Sequence, residues 1–490
     1  VRRRPTTGAF LLFSLLMIAG CSEEPRWTTS SPEAIGYYTG GVTAWQKFYY
    51  REAQESFEKA VQADSGFAVA WGRLAMLHMN SMDEPGAKRA VARAIALAGR
   101  ATLREQLLVR LWSNLVQNRY AQAALVADSL IVRYPDEAEV YMIRGQIYEQ
   151  ERNVGAALEM YQRSIAADTG FSQGVMSLGY AYSTLGDQEK AVSYMQRYIR
   201  MAPEAADPRA SYADLLVRAG RYQDALEQYR ASLALKPDYW YAEQAIGSVY
   251  MTLGRLRAAE EQFERALRLL PDNGRREAGR LRVRGFVAFY RRQLADAVAL
   301  LKQSAAQDSS MLGIGYGLSV ALAKLRRFEE AHEVMAQVER ELREKLLTKG
   351  PVMEGFHLLR ARVLTEEGKL EDARQACENA FEFSTPLTRG AVFAHIARIE
   401  LAAGRWEAAL DAIDEALKVN PNTPETLLTL ARIYSAKKDR PMTAEIGRRL
   451  LDIWREADSD FYGLLEVKRL PGLSQPVRGH AFGVRVRPPA

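Results

Sequence analysis

The chain has 490 residues, 48% hydrophobic and 26% charged, with a formal net charge of +6. That balance is nearly neutral for the length, and no concentrated basic face is evident, which argues against nucleic acid as a partner. Arg2, Arg3 and Arg4, which supply part of the surplus, stand in an N-terminal segment expected to be removed.

After Arg2-Arg3-Arg4 comes an apolar run from Ala9 to Ala19, closing on Ile18-Ala19-Gly20-Cys21. A positive start, a short apolar stretch and small residues before a cleavage point make the layout of a secretory signal. The run is too short to span a bilayer comfortably. Its Ile-Ala-Gly-Cys end resembles a bacterial lipobox. The resemblance implies that residues 1–20 are a lipoprotein signal peptide and that Cys21 is acylated and becomes the first mature residue. By the sorting preferences of such proteins, Ser22 in place of an aspartate implies an outer-membrane anchor facing the periplasm. Several acyl chains together anchor stably where one does not. Residues 21–31, with Glu23-Glu24-Pro25, would then be the lipidated cysteine and its linker.

From there the sequence repeats. Ala123, Ala157, Ala191, Ala225 and Ala259 lie at steps of 34 residues. The cleanest unit reads Gly247-x2-Tyr250-x3-Gly254-x4-Ala259-x3-Phe263-x2-Ala266-x4-Pro271, and an earlier one runs from Leu178-Gly179 through Tyr182, Gly186 and Ala191 to Pro203. Gly247 and Tyr250 keep helical spacing, with a small residue where a second helix crosses closely. Gly254 falls just past that helix, where a left-handed cap costs least without a Cβ. Ala259 and Ala266 keep the second helix slim, Phe263 fills the space between, and Pro271 marks the end of the unit.

These residues resemble the tetratricopeptide repeat (TPR) pattern, and a fixed period of this length is the mark of stacked helix–turn–helix units. The register extends back to Ala53 and Ala87 and forward to Ala297, Ala331, Ala373, Ala409 and the degenerate Thr443. The expectation is an all-α superhelical solenoid of about twelve units over residues 32–455, elongated and without a central globular core. The longest step, Ala331 to Ala373, places a possible break of the superhelix at 338–352. Residues 456–490 read as a C-terminal cap and flexible tail, with Leu470-Pro471-Gly472 and 479–490 as its loosest parts. Cys377 takes the position of Phe263 and is expected to be a small buried thiol.

No catalytic constellation is evident. His78, His332, His357, His395 and His480 show no paired metal-ligand spacing, and there is no phosphate loop ending in Gly-Lys-Ser/Thr. Gly313-x-Gly315-x-Gly317 reads as close helix approach. With repeats filling the chain, the expectation is no enzyme, no cofactor, no metal and no small-molecule substrate.

In the TPR family, first-helix positions 2, 5, 9, 12 and 13 line the concave face. Carried onto this chain, the resemblance implies partner-binding positions at Tyr180, Tyr241, Gln244, Arg282, Phe286, Phe289, Tyr290, Arg362 and Arg398. The 282–290 patch is the leading site, because aromatics and arginine are enriched at interface hot spots and an arginine fork suits an acidic group. The same aromatics also suit the hydrophobic seam between units. A carboxylate-clamp mode would need asparagine at position 9, which holds Gln146, Tyr180, Asp214 and Ser248 instead. The asparagine-ladder mode fails likewise at position 6, with Ser177, Ser211 and Ala245. The resemblance implies a lipid-anchored envelope scaffold for a protein or peptide partner, in assembly or secretion. The alternative is an adaptor recruiting a peptidoglycan- or protein-processing enzyme.

Overall fold

The computed structural model describes residues 26–473 except 82, 271–273, 309 and 346–350. The proposed signal peptide, Cys21, Pro271 and residues 479–490 lie outside the described residues.

Every described element is a helix. The first six units pair α1 (Pro32–Gln46) with α2 (Tyr50–Ala63), α3 (Ala68–Asn80) with α4 (Glu84–Ala98), and α5 (Leu103–Val116) with α6 (Tyr120–Arg133). Then come α7 (Ala138–Gln150) and α8 (Val154–Ala167), α9 (Ser172–Thr184) and α10 (Gln188–Met201), α11 (Asp207–Arg218) and α12 (Tyr222–Leu235). The next three are α13 (Trp240–Thr252) with α14 (Leu256–Arg268), α15 (Gly274–Tyr290) with α16 (Leu294–Gln307), and α17 (Gly315–Lys324) with α18 (Phe328–Glu344). The last are α19 (Pro351–Glu367) with α20 (Leu370–Phe381), α21 (Arg389–Ala402) with α22 (Trp406–Val419), and α23 (Pro424–Ala436) with α24 (Arg440–Ile453). A short α25 (Tyr462–Val467) follows these twelve pairs.

The alanine register is the register of burial. Ala53, Ala123, Ala157, Ala191, Ala225, Ala259, Ala297, Ala331, Ala373 and Ala409 are wholly enclosed, as is Thr443. Within a unit the two helices cross where one side is small. A Cβ on Gly145 would stand 2.4 Å from the Tyr161 ring, and one on Gly247 3.0 Å from the Phe263 ring. Buried hydroxyls tie the ends: Ser164 donates to the Ala138 carbonyl at 2.7 Å, and Ser232 and Ser304 repeat the bond to Ala206 and Ala278 at 2.8 Å. Cys377 is fully buried beside Ala361 and Ala373, and burial pushes its thiol up to about 12.

Successive first helices touch one another, as α7 does α9, α9 does α11, α19 does α21 and α21 does α23. Second helices pack on their own partner and on the next first helix. The first helices therefore lie on the inner radius of the curve and the second helices on the outer.

The turns of the superhelix meet edge to edge. Each bend whose residues are all described carries one left-handed residue: Phe48, Asn118, Arg152, Gly186, Gly220, Gly254, Arg292, Arg326, Gly368, Gly404 and Lys438. Several of these bends reach a loop on the following turn. The Ala206 amide donates to the Tyr49 hydroxyl at 3.2 Å, Arg152 donates to the Ser384 carbonyl at 2.9 Å, and Asn420 donates to the Arg218 carbonyl at 2.6 Å. Trp454 Nε1 donates to the Thr252 carbonyl at 3.1 Å, and the Asp458 amide to the Gly254 carbonyl at 2.9 Å. These partners are separated by 157 to 232 residues, so one revolution takes about five to six units.

Two expectations are corrected. The solenoid is not an elongated stack with contacts only between neighbours, because Met251, Leu256 and Ala259 share one apolar cluster with Ile413, Trp454 and Phe461. Nor are residues 470–472 a loose tail. Leu470 and Leu473 pack on that cluster, a Cβ on Gly447 would meet Leu473 at 2.9 Å, and Gly472 makes the bend with φ +91°. At 338–352, α18 runs unbroken to Glu344 and α19 packs on both α17 and α18, while residues 346–350 lie outside the described set.

Candidate functional site

The inner face carries two polar clusters. The first centres on Asp214 of α11, at the ninth position of its unit. Tyr180 of α9 and Tyr241 of α13 donate to its Oδ2 at 2.8 and 2.7 Å, and Tyr229 of α12 donates to its Oδ1 at 2.5 Å. One carboxylate thus gathers hydroxyls from three successive units. Burial, then the charge of Asp214, raises the pKa of all three phenols, so they stay protonated and remain donors. Beside them opens a cavity of about 260 Å³ lined by Asp214, Tyr241, Gln244, Ser248 and Thr252. Two turns earlier on α11, Asp207 is buried and accepts from Tyr239 at 2.7 Å, Tyr198 at 2.9 Å and Ser211 at 3.2 Å. Burial lifts its carboxyl to about 6.

The second cluster lies across α17 to α23. Arg398 of α21 lies within electrostatic reach of Arg362 of α19, Glu425 and Tyr316, and Tyr290 within reach of Glu425, Tyr316 and Arg362. Desolvation, then repulsion by Arg362, lowers Arg398 to about 10. The His395 imidazole is lowered to about 3, by burial first and then by Arg398 and Arg362. Its Nδ1 meets the Ala391 carbonyl at 2.9 Å, and its Nε2 is buried with no hydrogen-bond partner among the described residues.

The structure brings Tyr180, Tyr241 and Gln244 together around the first cluster, and Tyr290, Arg362 and Arg398 around the second. It divides the 282–290 patch. Arg282 lies over Gly313, where a Cβ would stand 2.9 Å from its guanidinium, and the Phe286 ring lies over Gly317, where a Cβ would stand 2.4 Å away. Phe289 packs on the apolar cluster of α16 to α19. Those three residues thus serve the seam between α15 and α17, while Tyr290 lies edge-on to Phe289 at 5.8 Å and 6.3 Å from Phe461. Much of the surrounding basic stretch is paired: Arg280 with Glu264 at 3.0 Å, Arg291 with Asp460 at 2.8 Å, and Arg292 over the Tyr462 ring at 4.2 Å.

The sequence places Asp214 at position 9, where it was given no binding role, and Tyr229 and Asp207 were not singled out. The available signal was a carboxylate at a groove position with tyrosine in the same register one unit away on either side. Among the described residues, no group of three or more His, Cys, Asp or Glu could hold a metal ion. No described helix is long and apolar enough to cross a membrane.

Twelve stacked pairs of this geometry define a helical-repeat array with its first helices along the inner face. The chain belongs to the tetratricopeptide repeat family: family models so described match residues 35–67, 109–170, 176–240, 216–281 and 390–433. It is 24% identical over 212 residues to Protein O-mannosyl-transferase TMTC1 of Homo sapiens, a match covering 42% of this chain and 23% of that protein. The chain thus spans less than a quarter of that relative's length. Among solved structures it is similar to yeast Tom70, at 14% identity over 89% of this chain and 95% of that one with a TM-score of 0.38. It is also similar to MamA, at 21% identity over 32% of this chain and 93% of that one with a TM-score of 0.27. Both likenesses are of fold alone.

Proposed function

We propose that this TPR array is a non-catalytic scaffold, anchored by an acylated Cys21 in a bacterial envelope, that holds a protein or peptide partner along its inner face. TPR arrays are protein-interaction scaffolds, and this one carries the polar and aromatic groups of an interface on its first helices. The observation that carries the reading is the open cavity beside Tyr241, Gln244 and Asp214, where hydroxyls from three units converge on one carboxylate. The Arg2-Arg3-Arg4 start, the apolar run and Ile18-Ala19-Gly20-Cys21 support the anchor. Mannosyl transfer, named for TMTC1, is not carried over to this chain, which matches under a quarter of that protein.

The test is site-specific photo-crosslinking in cells from position 241 on the inner face, with position 132 of α6 as the outer control. Tyr241 is 39% exposed within the cavity rim, and Val132 is 82% exposed on a second helix. Capture of one defined protein from 241 alone is the expected result. Equal capture from both positions, or from neither, would refute the inner face as the binding surface.

A further inference from the structure

We infer that the cavity walled by α11, α12 and α13 receives the primary ammonium of a lysine side chain on an extended partner peptide. The inference rests on the scaffold reading above and names the chemistry of the group that enters.

The cavity is lined by acceptors whose own protons are already engaged. Tyr241 and Tyr229 turn their phenol protons to Asp214, at 2.7 and 2.5 Å, so each phenol oxygen keeps only acceptor capacity. Ser248 donates to the Gln244 carbonyl and Thr252 to the Ser248 carbonyl, both at 3.1 Å, which leaves those hydroxyl oxygens as acceptors too. Among the described residues of the lining, the Gln244 amide is the one side-chain donor not committed in this way. No Lys, Arg or His lines the cavity, and its one formal charge is the carboxylate of Asp214. Arg218, on the same helix as Asp214, lies over the Tyr180 ring at 5.4 Å and outside that lining.

A negative, acceptor-lined cavity is complementary to a cation that carries its own hydrogens. The state of Asp214 decides between the two basic side chains. Three phenols, counting Tyr180 at 2.8 Å, occupy three of the roughly four acceptor positions of a carboxylate. A guanidinium fork needs both carboxylate oxygens in one plane, and these are largely taken. An ammonium is compact and directs three donors outward from one point. It can use the remaining position on Asp214 together with the phenol and hydroxyl oxygens around it. Val217, Ala245 and Val249 add apolar wall for the methylene stem, which favours a lysine side chain over a bare ammonium ion.

The experiment is fluorescence anisotropy of the intact purified chain with three labelled, end-blocked peptides: octalysine, octaarginine and octalysine acetylated on every side chain. Octalysine should bind several-fold more tightly than octaarginine, and the acetylated peptide should not bind. Asp214→Asn should weaken octalysine binding by about tenfold or more, in keeping with loss of a central charged anchor. Gln244→Glu replaces the uncommitted donor with an acceptor and should tighten octalysine binding several-fold, with a smaller gain for octaarginine. Misfolding cannot produce such a gain. Octaarginine binding as tightly as octalysine, or indifference of octalysine to both Asp214→Asn and Gln244→Glu, would overturn the inference. So would displacement of octalysine by spermine at lower concentration than by unlabelled peptide, which would assign the cavity to a free polyamine. Failure here with specific capture from position 241 would leave the scaffold reading intact. Failure of the crosslink with Asp214-dependent octalysine binding would leave the ammonium site intact.

Discussion

Asn118 and Lys345, 227 residues apart, are joined by a 3.1 Å hydrogen bond from the Asn118 side-chain amide to the Lys345 carbonyl. Asn118 holds a left-handed backbone conformation at φ 55°, at the bend between α5 and α6. The same bend position solves the contact between superhelical turns in two ways. Where it is asparagine or arginine, as at 118, 152 and 292, the side chain reaches across. Where it is Gly220 or Gly254, the next turn packs directly on the backbone, with Asn422 2.4 Å and Phe461 2.5 Å from where a Cβ would stand.

Gly254→Ala and Gly186→Ala form a matched pair. Both positions are left-handed, but nothing lies within 4 Å of a Cβ at Gly186. Gly186→Ala should cost about 1 kcal/mol, the strain of an alanine in that conformation. Gly254→Ala adds a clash with Phe461 and should cost about 2–4 kcal/mol. Thermal unfolding measures the difference, and limited proteolysis should show residues 454–473 cut faster only in Gly254→Ala. Equal losses would mean that the turns do not touch there.

Asp207 gives a pH signature. Burial raises its carboxyl from 3.8 to about 6 in the folded chain. Between those values the folded protein holds a proton that the unfolded chain has released, so this group loses stability as pH rises. Relative to Asp207→Asn, the wild type should be most favoured at or below pH 4 and lose about 2–3 kcal/mol of that advantage above pH 6. Denaturant unfolding of both proteins across this window reads the difference directly. A constant difference would show that Asp207 titrates normally.

Ala191 tests the packing register. It is wholly buried beside Met195 and Tyr198. Ala191→Glu both overfills the crossing and buries an unpaired charge, and should destabilise by about 3 kcal/mol or more. A melting temperature matching wild type would contradict the observed crossing.

Cys21→Ser tests the anchor. Without a thiol there is no acylation, and the chain should move from the membrane fraction to the soluble fraction on cell breakage. Membrane association that persists in the variant at the wild-type level would remove the case for a lipid anchor.

The repeat architecture was legible because its determinants are local. Ala191 and Ala259 must be small wherever two helices cross, and Gly254 must cap its helix, whatever lies further along the chain. The left-handed bends at Phe48, Arg152 and Lys438 were less legible, since glycine is the residue that announces such a conformation and these units lack it. The contact of Gly254 with Phe461 was not legible at all. It depends on a small rotation per unit accumulated over five units, which no single repeat encodes. The groove was readable in part. Tyr241, Gln244 and Tyr180 follow from position within the unit, but their convergence on Asp214 depends on how three units are set against one another. Arg282 and Phe286 have the residue types of an interface and were drawn into the seam by Gly313 and Gly317, whose missing side chains open space for them, while Phe289 packs on the neighbouring apolar cluster.

The edge contacts also make this array count its own units. A solenoid held only by nearest neighbours can gain or lose a repeat through duplication or deletion and still close on itself. Here, excising α11 and α12 would advance every later loop by one place along the rim. Asn118 would then meet the stretch near Ser384 in place of Lys345, while the contact of Gly254 with Phe461, both beyond the excision, would be kept. Copy number, which most repeat families vary freely, is in this chain a condition of the fold.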